Sequence, residues 1–291
     1  MLNEYLNELV SFLHFKGDDI MTLLNNQNGQ IIRIMNLLNT TDSYYLYLGR
    51  GERSDDAFLC RVVRDEAYDR FAFAEQELLA KFAALSNSDR CSNNIKQGGK
   101  NADYHYDWLF PICESNFSAE QLGGRKVNVL RVRDASLDDF VLLKHLKEAI
   151  KIDVRTAAWV LERFLRLQAF LDTKDIEHCF CFDPGRVLIS PRKLRVVYIG
   201  WFDSLASRID CKEIASELNI NRMIDTILDW VILNDTSGED VFIAWLKDAK
   251  YSFLDGDKAL CSYLKLLHEL WGTSYMPFSF IANGAWDKVV H

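Results

Sequence analysis

The densest group of chemically capable side chains lies in the run Ile176-Glu177-His178-Cys179-Phe180-Cys181-Phe182-Asp183. His178, Cys179 and Cys181 are all metal-ligand types. A structural zinc site wants four such ligands, and no fourth falls at a workable spacing. A nucleophilic Cys–His pair is also unsupported. Neighbouring side chains on an extended segment point to opposite faces, so His178 and Cys179 do not face each other. Buried thiols are the simpler reading, and no metal site is predicted. Gly49-Arg50-Gly51 reads as turn chemistry. Trp230, Trp245 and Trp271 sit in helical runs and read as core.

The pattern along the chain says what must position these groups. Leu2, Tyr5, Leu6, Leu9, Val10 and Leu13 recur at helical spacing, which predicts an amphipathic helix over 2–15 within an N-terminal extension, residues 1–30. Residues 31–38 and 43–48 read as a hairpin around Asn39-Thr40-Thr41-Asp42. A third strand is predicted over 57–63. A helix over 66–85 carries Phe71, Ala74, Leu78, Leu79, Phe82 and Leu85 on one stripe. Residues 86–107 are polar, include Gly98-Gly99, and read as an exposed, mobile loop or insertion. Strands follow near 108–113 and 126–133. The chain then turns helical, with helices near 137–148 and 153–171, the second capped by Asp153. Short strands at 186–190 and 194–200 precede helices near 210–233, 239–248 and 256–270. The composition shift near 134 divides a sheet lobe, 31–133, from a helical lobe, 134–275, with a tail at 276–291.

Composition bounds the function. In 291 residues, 49% are hydrophobic and 12% aromatic, enough for a large core. With 14 Gly and 4 Pro the chain is neither linker-dominated nor collagen-like. Its 42 acidic residues against 34 basic give a net charge of -8, and no nucleic-acid partner is expected. No run approaches the roughly 18 apolar residues of a membrane span, and the start MLNEYLNELVSFL lacks the pattern of a secretory signal. Seven scattered cysteines read as reduced thiols. The expected location is cytoplasmic, in a cell or an infected host cell.

This order of elements resembles a protein kinase-like fold: α+β and bilobal, with a small antiparallel-sheet lobe and a larger helical lobe. Ala57-Phe58-Leu59-Cys60-Arg61-Val62-Val63 stands where that fold has its third strand, so the resemblance gives Arg61 the place of the phosphate-gripping lysine. Glu75 takes the place of the helix glutamate that pairs with it, its register set by Leu79 and Phe82. A plain inter-element ion pair is the alternative for those two. Ile176, His178, Pro184, Val187, Leu188, Ile189, Val197 and Ile199 match the catalytic segment. The chain is similar to remote kinase-like proteins of bacteria and their phages.

The departures fall on the chemistry. Phosphoryl transfer needs metal ligands, an acid that orients the acceptor hydroxyl, and a phosphate cradle. By the resemblance those acids fall on Phe180 and Gly200, and the metal-binding Asn falls on Arg186. The hairpin turn carries no glycine, and Arg61 replaces lysine, which is not equivalent at a phosphate. Asp183 and Asp203 are the candidate displaced acids. Arg61, Glu75 and Arg186 would line a degenerate nucleotide cleft. The expected function is a catalytically inactive, pseudokinase-like protein that binds another protein and no membrane. The alternative is an atypical nucleotide-dependent transferase that uses the displaced acids as ligands. No cofactor is expected: Arg186 is compatible with weak ATP binding, but not with magnesium.

Overall fold

The computed structural model describes residues 22–25, 29–51, 57–88, 106–135, 137, 140–174, 180–206, 216–233 and 238–272. The expected helix over 2–15, residues 89–105 of the polar segment, His178, Cys179 and the tail 276–291 lie outside the described residues.

Six strands build one antiparallel sheet: β1 (Thr22–Asn25), β2 (Gln30–Thr40), β3 (Tyr44–Gly51), β4 (Ala57–Val63), β5 (Ile112–Ala119) and β6 (Arg125–Arg131). Their order across the sheet is β1-β2-β3-β4-β6-β5. β4 runs through the middle and is buried at all seven positions. Alternation sorts its side chains: Ala57, Leu59 and Val63 join one core, while Phe58, Cys60 and Val62 join a second on the opposite face. The second core exists because the sheet rolls. Register shifts between Ile34 and Asn36, and again between Leu37 and Asn39, bend β2. This brings edge strand β1 against β5, and Leu23 closes over the second core at 0% exposure.

The first core packs against helix α1 (Asp69–Ser88) and continues without a break into the second lobe. That lobe contains β7 (Val141–Leu142), α2 (Leu143–Ala149), α3 (Val154–Thr173), β8 (Val187–Ser190), β9 (Arg195–Tyr198), α4 (Trp201–Ala206), α5 (Ser216–Leu228), α6 (Glu239–Ala249) and α7 (Gly256–Trp271). α3 is the buried axis of the lobe. Its N-cap is Asp153, whose carboxylate accepts from the backbone N–H of Arg155 at 2.9 Å and of Thr156 at 3.0 Å. β7, β8 and β9 form a separate three-stranded antiparallel sheet.

Several expectations need correction. Thr22–Asn25, assigned to a helical extension, is a strand, because Leu23 pairs across from Ile32 and buries. The strand expected near 108–113 begins only at Ile112, since Pro111 has no N–H for a ladder. Before it, 106–108 make a 3-10 turn and Leu109 and Phe110 enter the core. The helix expected from 137 starts at Leu143, because Val141 and Leu142 are drawn into pairing with Ile189 and Leu188. α1 extends through Ser88, into the segment read as loop. Helix α4 was not anticipated: six residues carry too little periodicity to register.

Candidate functional site: the cleft between the lobes

Arg61 projects from β4 toward α1, and Glu75 lies on the inward stripe of α1 with Leu79 and Phe82. Both members of the pair are fully buried, at 0% exposure. Arg61 Nη1 donates to Glu75 Oε1. The other carboxylate oxygen accepts from Asn128 Nδ2 at 2.8 Å, and that amide also donates to Ala72 O at 3.0 Å. Asn116 in turn donates to Asn128 Oδ1 at 2.5 Å. Two atoms of this network, Arg61 Nε and Asn116 Oδ1, are buried without a hydrogen-bond partner.

The remaining reach of Arg61 crosses to the other lobe. Its Nη2 donates to Ile199 O at 2.5 Å. The guanidinium lies over the rings of Tyr44, 4.6 Å away, and Phe202, 5.6 Å away. Burial works against its charge, but Glu75, Tyr44 and Asp203 together outweigh it, and the net result holds the guanidinium more firmly protonated than usual. Every strong contact of Arg61 is therefore internal.

Tyr44 opens β3, immediately after the hairpin turn. Its hydroxyl donates to Asp203 Oδ2 at 2.6 Å, and its ring meets Phe202 edge-on at 5.2 Å. Burial raises the phenol above its ordinary pKa, with Arg61 opposing and Asp203 reinforcing. Arg186 Nε lies 3.3 Å from Asp203 Oδ2 and 3.4 Å from Asp183 Oδ2. One guanidinium thus sits between both candidate acids. Burial lowers the pKa of Arg186, but Asp203, Tyr198, Tyr44 and Asp183 together raise it on balance. Asp183 is also turned inward on its own loop, since Oδ1 caps the backbone N–H of Gly185 at 2.8 Å.

At Gly200 no side chain fits. A Cβ there would lie 2.4 Å from the Tyr198 hydroxyl and 2.7 Å from Arg186 Cδ. Tyr198 is fixed in place by donating to Cys181 O at 2.8 Å. Phe180 is 1% exposed and packs edge-on against Tyr198 at 4.9 Å. Neither position could present a carboxylate to the cleft.

The structure therefore brings Arg61 to Glu75, and Arg186 to both Asp183 and Asp203. The arginines serve separate carboxylates rather than a shared anion site. Three participants escaped the sequence reading. Tyr44 looked like an ordinary strand aromatic. Asn128 lay inside an apolar strand, where its polarity was the only signal. Asn219, on α5, is 0% exposed and clamps the loop below the cleft, donating to Phe180 O at 2.8 Å and accepting from Phe182 N at 2.9 Å.

The open part of the cleft measures about 770 Å³. Its walls are the hairpin turn Thr41-Asp42-Ser43, the loop from Cys181 to Arg186, and one face of α5. Asp42, Asp183, Asp203, Asp225 and Asp229 line it, against Arg186 and Arg222. Arg222 Nη1 lies 2.6 Å from Cys181 Sγ. A surplus of carboxylates repels a polyphosphate. Among the described residues, no group of three or more His, Cys, Asp or Glu side chains is placed to hold a metal ion. Among the described residues, no helix is long and apolar enough to cross a membrane.

No family model matches the sequence, nor does any curated protein. Solved structures do match. The crystal structure of the Mycobacterium tuberculosis PknI kinase domain is similar with TM-score 0.50 at 9% identity, over 81% of this chain and 95% of that one. A mutant of the same domain gives TM-score 0.51 at 8% identity, with the same coverage. The structure of vaccinia related kinase 3 covers 99% of this chain and 95% of that one at 13% identity and TM-score 0.48. The likeness to the mycobacterial kinase domain shows the fold: this chain has a bilobal, α+β protein kinase-like fold.

Proposed function

We propose that this chain is a pseudokinase, a kinase-like protein that transfers no phosphate and acts by binding another protein. The carrying observation is the commitment of Arg61. Its guanidinium is wholly buried, paired with Glu75, bonded to Ile199 O and covered by Tyr44. A phosphate would have to displace the Tyr44 ring and the Ile199 carbonyl to reach it. The second cation, Arg186, lies between Asp183 and Asp203. A divalent metal would have to displace it. The roles of Arg61, Glu75 and Arg186 in this reading are structural, not catalytic.

A fold without chemistry acts through its surfaces. Leu254 and Tyr251, in the turn between α6 and α7, are 73% and 69% exposed, large apolar groups for solvent-facing positions. They are the first residues to substitute in a search for the partner.

The test is thermal shift with ATP, with and without magnesium, followed by labelled phosphate transfer to the protein itself and to generic substrates. No magnesium-dependent shift and no transfer are expected. Robust transfer that Asp183→Ala or Asp203→Ala abolishes would overturn the proposal in favour of a transferase with displaced acids.

A further inference from the structure

Lobes that close on a ligand are usually bridged by it. Here the lobes are bridged by their own side chains. Tyr44 belongs to the small lobe and Asp203 to the large one, 159 residues apart, and they meet at 2.6 Å. Tyr44 is 1% exposed and the Asp203 side chain 8%. A carboxylate so enclosed requires a cation, and Arg186 supplies one at 3.3 Å from the same oxygen. A few ångströms away Arg61 crosses between the lobes a second time, to Ile199 O. Phe202 sits between these two crossings, against both the Tyr44 ring and the Arg61 guanidinium.

Tyr44 is also held so that it aims at its partner. The backbone N–H of Tyr44 donates to Thr41 Oγ1 at 3.1 Å, and Tyr44 O accepts from Thr41 N at 3.0 Å. Arg64 Nη1 donates to Thr41 O at 2.7 Å, tying the turn to the end of β4. The turn is thus a small rigid bracket, and the phenol is its projecting end.

We propose that Tyr44, Asp203 and Arg186 form a latch that holds the two lobes together. Arg186 acts as its tethered cation. Asp203 receives the phenol, and Arg186 stabilises the Asp203 charge. The latch is made wholly from the chain's own side chains and needs no nucleotide to form. The latch concerns lobe closure, so it stands apart from the question of phosphate transfer.

Hydrogen exchange by mass spectrometry on the full chain, with no nucleotide or metal added, reads the latch directly. The informative peptides cover the hairpin turn with the start of β3, and residues 199–206. Loss of one hydrogen bond to a charged group corresponds to about ten- to a hundredfold faster opening. Tyr44→Phe keeps the ring packing and removes only the hydroxyl, so it remains usable if the charge variants fail to fold. It should raise exchange in both peptides together by about tenfold or more, leaving α3 protected. Arg186→Gln should do the same and Arg186→Lys should do so less, because lysine keeps the charge. Unchanged exchange in Tyr44→Phe would overturn the latch. So would faster exchange confined to residues 199–206, which would mark a local contact and not a bond between lobes.

Discussion

Removing the Glu75 carboxylate is the sharpest perturbation of the buried pair. Both partners are 0% exposed, so water does not reach Arg61 in the folded state. Glu75→Ala leaves a buried guanidinium without its bonded carboxylate and an Asn128 amide with one partner instead of two. Breaking a buried pair from one side costs about 3–5 kcal/mol. Against a typical stability of about 5–15 kcal/mol, that is a large share. At about 2–4 °C per kcal/mol for a domain of a few hundred residues, the thermal midpoint should fall by about 6–20 °C. Calorimetry or circular dichroism reads this directly.

The double variant Arg61→Met with Glu75→Leu separates causes. Replacing a buried pair by apolar residues of similar volume is often close to neutral. Asn128 would keep its bonds to Ala72 O and Asn116, while Ile199 O would lose its donor. The double variant should therefore recover more than half of the loss. A Glu75→Ala penalty below about 1 kcal/mol, the worth of an exposed pair, would refute the burial argument. A double variant no more stable than the single one would show that the unpaired charge is not the source of the loss.

Other consequences are equally direct. Gly200→Asp should destabilise by about 1–3 kcal/mol or more through overpacking against Tyr198 and Arg186, with no gain in magnesium-dependent ATP binding by thermal shift. Asn219→Ala strips partners from Phe180 O and Phe182 N in a buried loop and should cost about 1–3 kcal/mol per orphaned group in urea unfolding. Asp153→Ala should cost about 0.5–2 kcal/mol at the N-terminus of α3, a loss that Asp153→Asn largely restores. Burial raises the phenols of Tyr44, Tyr47 and Tyr198, and pushes the Cys60 and Cys113 thiols from 9.0 up to about 12. The folded state then holds these protons more tightly than the unfolded chain. Stability is full below the unfolded thiol value of 9.0 and is lost as pH rises through it toward the folded values, so thermal midpoints should hold near neutrality and fall above that point. A midpoint that stays level to pH about 11 would contradict the burial of these groups.

Much of the fold could be read from periodicity. β4 is a compact apolar run, and the kinase-like resemblance puts Arg61 and Glu75 together, with the spacing of Glu75 to Leu79 and Phe82 fixing its register. β1 was not visible, because four residues carry no alternation worth reading and their burial depends on how β2 bends. Nor was α4, whose Trp201 and Phe202 read as the end of the preceding strand. The site was legible in its charges but not in its connections. Asp203 stood out as an acid, yet its partners come from Tyr44 and Arg186, one in each lobe. Pairings over such separations follow from lobe closure, which no local pattern encodes.

The charges of the cleft explain why these particular residues occur together. A kinase cleft is built incomplete: its acids await metal, and its lysine, though paired with a helix glutamate, stays open to phosphate. Here Glu75 and Arg61 cancel, and Asp203 and Asp183 share Arg186. A divalent cation offered to Asp203 must first displace a guanidinium that costs no association entropy, because it is already attached. A phosphate offered to Arg61 must displace the Tyr44 ring that covers the guanidinium and the Ile199 carbonyl that it bonds. On the proposed reading, either ligand must compete with contacts that the chain already makes within itself.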